Sequence, residues 1–68
     1  MKIFGERLME LRLDKGLSTD ALGKIIGVSD TAIINWEKNV HDVKGGPLTK
    51  LAQFFGVSAD YLVGLSDD

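Results

Sequence analysis

The stretch Thr19–Lys38, "TDALGKIIGVSDTAIINWEK", decides how this chain folds. Leu22 and Ile26 recur four residues apart, and Ile33 and Trp36 three apart. These spacings put side chains on one face of a helix. Ser18 and Ser29 stand just ahead of the two helical segments, where a serine hydroxyl can accept an amide hydrogen bond and cap the helix. Only Gly27-Val28 separates the segments. Gly27 can take the left-handed backbone that ends one helix and turns the chain steeply into the next. Close crossing also needs a small residue in the packed face, and Gly23 supplies it. Val28, ahead of Ser29, is the apolar residue that fixes the chain's entry angle.

Outward from this unit the chain reads as more short helices. Phe4, Leu8 and Leu11 form an apolar stripe on a helix from about Ile3 to Lys15, and Gly16 stops it. Gly46-Pro47 opens a fourth helix with proline at its first position, where it costs no hydrogen bond. Leu48, Leu51, Ala52 and Phe55 form its buried face, and Gly56 ends it. Val57 and Ser58 repeat the Val28-Ser29 arrangement ahead of a last short helix, "ADYLVG", with Leu62 inward and Gly64 closing. No segment alternates with the period of a strand. The expectation is all-α: five short helices around one core, a single domain over residues 1–68 whose last few residues form a short acidic tail.

The totals set limits. A chain of 68 residues buries only about 60% of its unfolded surface, so its core is small. There is no cysteine and one histidine, so neither disulfide nor metal is expected, and no cofactor. No apolar run approaches the roughly 20 residues of a membrane span. The N-terminus lacks the long apolar segment and small-residue cleavage site of a signal peptide. A cytoplasmic location without membrane contact is expected. Eight basic and ten acidic residues give a net charge of −2. With Asp60, Asp67 and Asp68 set aside, the remaining eight positive and seven negative charges leave +1. A nucleic-acid binder is usually more basic.

A small residue, a glycine four positions on and then spaced apolars is the spacing of a helix-turn-helix. The same residues could build an ordinary αα-hairpin. Nearly the whole chain, however, resembles the phage repressor/Cro-type helix-turn-helix family, often called XRE-like. "FGERLMELRLDKGLS" resembles its first helix and turn, "LGKIIGVSDTAIINWEKN" its helix-turn-helix, and "LTKLAQFFGVSADYLVGLSDD" its closing two helices. The resemblance implies a compact five-helix, lambda-repressor-like DNA-binding domain with the helix-turn-helix at helices 2 and 3. It implies a dimer on a near-palindromic operator of double-stranded DNA, with the third helix in the major groove. It also implies that Arg12 and Glu37 are a structural pair tying the first helix to the third. A free, phosphate-binding arginine is the other reading of Arg12.

Helical spacing puts Asp30, Thr31, Ile34, Asn35 and Lys38 on the face opposite Ile33 and Trp36. By residue type alone this is a solvated helix face. The resemblance makes it the surface that reads bases, with Asp30, Thr31, Ile34 and Asn35 as base contacts. The Asn35 amide suits two bonds to adenine, a contact that discriminates by about 1–3 kcal/mol. Thr31 can offer its hydroxyl to a base or its methyl to thymine. Ile34 can pack on a thymine methyl, and Asp30 can accept from the cytosine amino group. The candidate phosphate contacts are Thr19, Lys24, Ser29, Lys38 and Lys44, with Lys50 as a further candidate. Each lysine is as well explained as a solubilising charge.

The chain departs from the family at several places. Relatives usually have glutamine where Thr19 stands, and a basic loop where "NVHDVKGG" stands. With three or four phosphates neutralised per subunit, a dimer would show a salt slope of roughly −5 to −7. Ala21, Ile25, Ile34, Val40 and Val43 are expected to add exposed apolar area, and a contiguous patch would suit a protein partner. Phe54, Tyr61 and Val63 are candidates for a subunit interface, with Phe54 in the core as the competing reading.

The function expected is a sequence-specific DNA-binding regulator, a prophage-type repressor that acts as a dimer by occupying a promoter. The alternative is a protein-interaction module, an antitoxin or adaptor with weak or lost DNA binding. An enzyme is not expected. His41, Asp42 and a serine or threonine are the only triad members to hand, and adjacent residues rarely face each other usefully.

Overall fold

The computed structural model describes residues 2–67. Met1 and Asp68 lie outside the described residues, so the expected acidic tail is seen only as far as Asp67. Five helices follow one another: α1 Lys2–Asp14, α2 Thr19–Ile26, α3 Asp30–Glu37, α4 Gly45–Phe55 and α5 Ala59–Leu62. No strand occurs among the described residues.

Three helices begin on the expected serines. Ser18 Oγ accepts from the Ala21 amide at 3.0 Å, Ser29 Oγ from Ala32 at 3.0 Å and Ser58 Oγ from Tyr61 at 2.9 Å. Each such cap satisfies an otherwise free amide and adds about 1 kcal/mol. Gly27 ends α2 with φ 88, a left-handed backbone that a side chain would strain. The Gly27 and Val28 amides both donate to the Gly23 carbonyl, at 2.8 and 2.9 Å, closing the turn into α3.

Gly23 has the expected close approach. A Cβ there would lie 2.8 Å from the Val28 carbonyl oxygen. The start of α4 differs from expectation. The helix begins at Gly45, which places Pro47 third rather than first. Proline is tolerated there because amides of the first turn have no carbonyl to reach within the helix.

Every helix sends at least one fully buried large side chain inward: Phe4 and Leu8 from α1, Leu22 from α2, Ile33 from α3, Leu51 from α4 and Leu62 from α5. Each contributes about 1.5–3 kcal/mol by leaving water. Ile26, Trp36 and Ala52 complete the expected buried set. Leu11, Leu48 and Phe55 are half-buried and pack against that core.

Val43 corrects one expectation. It was expected on the surface but is only 4% exposed and belongs to the core. The loop between α3 and α4 folds inward here, so the residue plugs the base of the loop rather than facing water. Val40, in the same loop, is 58% exposed as expected.

Candidate nucleic-acid interface

The first turns of α3 stand out from the body of the molecule. Asp30 and Thr31 are exposed, Ile34 and Asn35 are half-buried, and Lys38 is exposed just after the helix. Ile33 and Trp36 turn the other way, into the core. The expected outward face is therefore present, graded from open at its N-terminal end to partly shielded at Asn35. Asp30 occupies the first helical position behind the Ser29 cap. A carboxylate there also interacts favourably with the helix dipole, by about 0.3–1 kcal/mol at an exposed site.

The candidate phosphate contacts divide by environment. Thr19 is half-buried at the first position of α2. The Ser29 hydroxyl oxygen is already engaged as an acceptor in capping α3. Lys24 forms an exposed ion pair with Asp20 at 3.2 Å, an arrangement that contributes about 0.3–0.5 kcal/mol and yields readily to another anion. Lys38 and Lys44 are exposed at the two ends of the α3–α4 loop. Lys50 leans instead on the C-terminus of α2, with Nζ 3.5 Å from the Ile26 carbonyl.

Arg12 and Glu37 meet as expected. Arg12 Nε donates to Glu37 Oε2 at 2.6 Å and Nη2 to Oε1 at 3.0 Å, while Nη1 donates to the Leu17 carbonyl at 2.7 Å. The group thus joins α1, the α1–α2 turn and the end of α3. The hydrogen bonds to the Glu37 carboxylate hold the guanidinium above the usual arginine range, against the burial that pulls it down. The Arg12 guanidinium is committed to these three bonds.

Three further residues escaped the sequence reading. Gly5 lies on α1 where the end of α3 comes close, and a Cβ there would overlap the Glu37 carbonyl and the Asn39 side chain. A glycine inside an amphipathic helix pattern was the available signal. Asn39, between α3 and α4, has φ 59 and accepts from the Gly5 amide at 3.0 Å. Arg7 draws the segment after α5 back onto α1: it donates to the Tyr61 carbonyl, and to that of Ser66 at 2.8 Å. Its guanidinium lies 4.1 Å from the Tyr61 ring centroid. Tyr61, a candidate interface residue, is therefore partly covered from within. Phe54 is half-buried and packs against the core with its ring 5.0 Å from that of Phe55.

The expected apolar surface is smaller than the residue types suggest. Ile25 and Val40 are exposed, Ala21 and Ile34 are half-buried, and Val43 is in the core.

A sequence model of the helix-turn-helix family matches residues 8–62, from the middle of α1 to the end of α5. The chain belongs to the helix-turn-helix family. This helix-turn-helix protein is 36% identical over 62 residues to repressor protein C2 of Salmonella phage P22, an alignment covering 91% of this chain and 29% of the relative. It is 33% identical over 61 residues to YonR, an uncharacterised prophage-derived helix-turn-helix-type transcriptional regulator of Bacillus subtilis, covering 90% of this chain and 56% of that one. The chain thus spans about half or less of the length of these relatives. Its fold matches a crystal structure of the P22 c2 repressor in complex with a synthetic operator. The TM-score is 0.88 and the identity 33%, covering 97% of this chain and all of the other. The XRE-like resemblance and the lambda-repressor-like fold are both met by this helix-turn-helix protein.

Proposed function

We propose that this chain is a sequence-specific DNA-binding transcriptional regulator, a cytoplasmic prophage-type repressor that binds an operator as a homodimer through a single DNA-binding unit. The observation that carries the reading is the match, over 97% of the chain, to a repressor in complex with a synthetic operator. In this reading the outward face of α3 enters the major groove. Asn35 pairs with adenine, Thr31 and Ile34 meet thymine methyls, and Asp30 accepts from cytosine. Thr19, Lys24, Ser29, Lys38 and Lys44 face the backbone, Thr19 with help from the amides at the start of α2. Arg12 and Glu37 hold α3 at its working angle and touch no DNA. The activity is binding and occlusion, and it needs no catalytic group.

The net charge of −2 gives the proposal a quantitative edge. Few cations face the backbone, so sequence-independent affinity is low and the operator is chosen mainly by base contacts. The test starts with selection of bound sequences from a random duplex library. Polarisation titrations at several salt concentrations then follow, on wild type and Asn35→Ala. The expected result is a salt slope of roughly −5 to −7 for the dimer and an affinity loss of about 1–3 kcal/mol for the variant, confined to duplexes with the selected adenine. Failure to enrich any sequence would end the proposal in favour of a protein-interaction module.

A further inference from the structure

We infer that Asn39 is a positioning residue for DNA recognition: it ends α3 and pins that end to the first turn of α1. The inference rests on the DNA-binding reading above and adds to it the device that sets the pose of the reading helix. Two features of Asn39 carry it. The first is its backbone, left-handed at φ 59 and alone among the described non-glycine residues in having a positive φ. Asparagine tolerates that region better than other side chains. In this conformation the Asn39 amide reaches the Trp36 carbonyl at 3.1 Å, and the next amide, Val40, reaches the Asn35 carbonyl at 2.9 Å. These paired bonds close the helix end. The turn at Asn39 is therefore built directly on the residue assigned to adenine.

The second feature is the side chain. Asn39 Oδ1 accepts from the Gly5 amide at 3.0 Å, an acceptor placed where the positive end of the α1 dipole favours it. Gly5 makes room, since a Cβ there would lie 2.7–2.8 Å from the Asn39 amide atoms. Glycine at position 39 would supply the left-handed turn, but only a side-chain acceptor supplies the tie. Together with the Arg12–Glu37 pair, the tie anchors the C-terminal end of α3 at two places, leaving its N-terminal end to face a ligand. Sites hold their geometry only when such supporting bonds fix them.

The experiment separates turn from tie. Asn39→Gly keeps the turn and removes the acceptor; Asn39→Asp keeps both. The readout is the ratio of affinities for a duplex selected by wild type and for a scrambled duplex. This ratio cancels the phosphate repulsion that the aspartate adds. Asn39→Gly should lower the ratio by about 10-fold while scrambled-duplex affinity and salt slope hold, and Asn39→Asp should restore it. Exchange of the Gly5 amide should quicken in Asn39→Gly by more than that of the other α1 amides and slow again in Asn39→Asp, whereas a general loss of stability would quicken them together. An unchanged ratio in Asn39→Gly, or no restoration by aspartate, overturns the role. Wild type that prefers no duplex brings down the DNA-binding reading first and this role with it. That outcome is distinct from a variant that binds like wild type.

Discussion

Truncation of Glu37 to alanine tests how α3 is held. The Arg12 and Glu37 side chains are only 12% and 5% exposed, and the carboxylate accepts two guanidinium bonds at 2.6 and 3.0 Å. Without it Arg12 keeps one partner, the Leu17 carbonyl, and its charge stays largely out of water. Breaking a buried pair in this way costs about 3–5 kcal/mol. At roughly 0.05–0.15 kcal/mol per residue, a chain of this length has about 3–10 kcal/mol in all. Glu37→Ala should therefore bring the protein near unfolding, with Tm lower by at least about 12 °C. The paired variant Arg12→Met/Glu37→Leu removes both charges. It should recover more than half of the loss, because apolar replacement of a buried pair is often neutral and the bond to Leu17 accounts for only about 1 kcal/mol. Urea titration followed by fluorescence of the buried Trp36 measures all three proteins. Loss of about 1 kcal/mol or less in Glu37→Ala, the cost of an exposed pair, would refute the reasoning. So would a double variant no more stable than the single one. The raised Arg12 pKa adds a sign. Its stabilisation is complete below the usual arginine range and is lost only as pH rises through the folded-state value, so mutation rather than ordinary pH change breaks the tie.

The remaining predictions concern packing. Gly5→Ala and Gly23→Ala force a Cβ into occupied space and should each cost about 1–3 kcal/mol. Thermal melts measure both. Val43→Ala should cost about 1.5–3 kcal/mol while Val40→Ala stays within about 0.5 kcal/mol. Equal urea midpoints for the two valine variants would contradict the inward fold of the loop.

Local signals set much of this fold, and they were legible. The serine caps, the terminating glycines and the three-four spacing act within a few residues of one another, so Ser18, Ser29 and Ser58 could be placed without tertiary knowledge. Gly23 was legible because its partner, Val28, lies five residues away across a single turn. Val43 was misread because a valine between charged and glycine residues carries no period. Its burial depends on the path of the whole loop. The position of Pro47 in α4 was not legible, because the helix starts two residues earlier, at Gly45, whose φ is 60.

The candidate interface divides in the same way. That Asp30, Thr31, Ile34 and Asn35 share a face follows from helical geometry alone, and their order along the chain fixes it. The sequence likewise determined that these residues sit opposite Ile33 and Trp36. Only the tertiary structure decided how that face is held. The bond from Gly5 to Asn39 spans 34 positions, and that from Arg7 to Ser66 spans 59. Helical period carries no information at such separations. They form because five short helices, each too small to stand alone, close on one core and bring distant polar groups within reach.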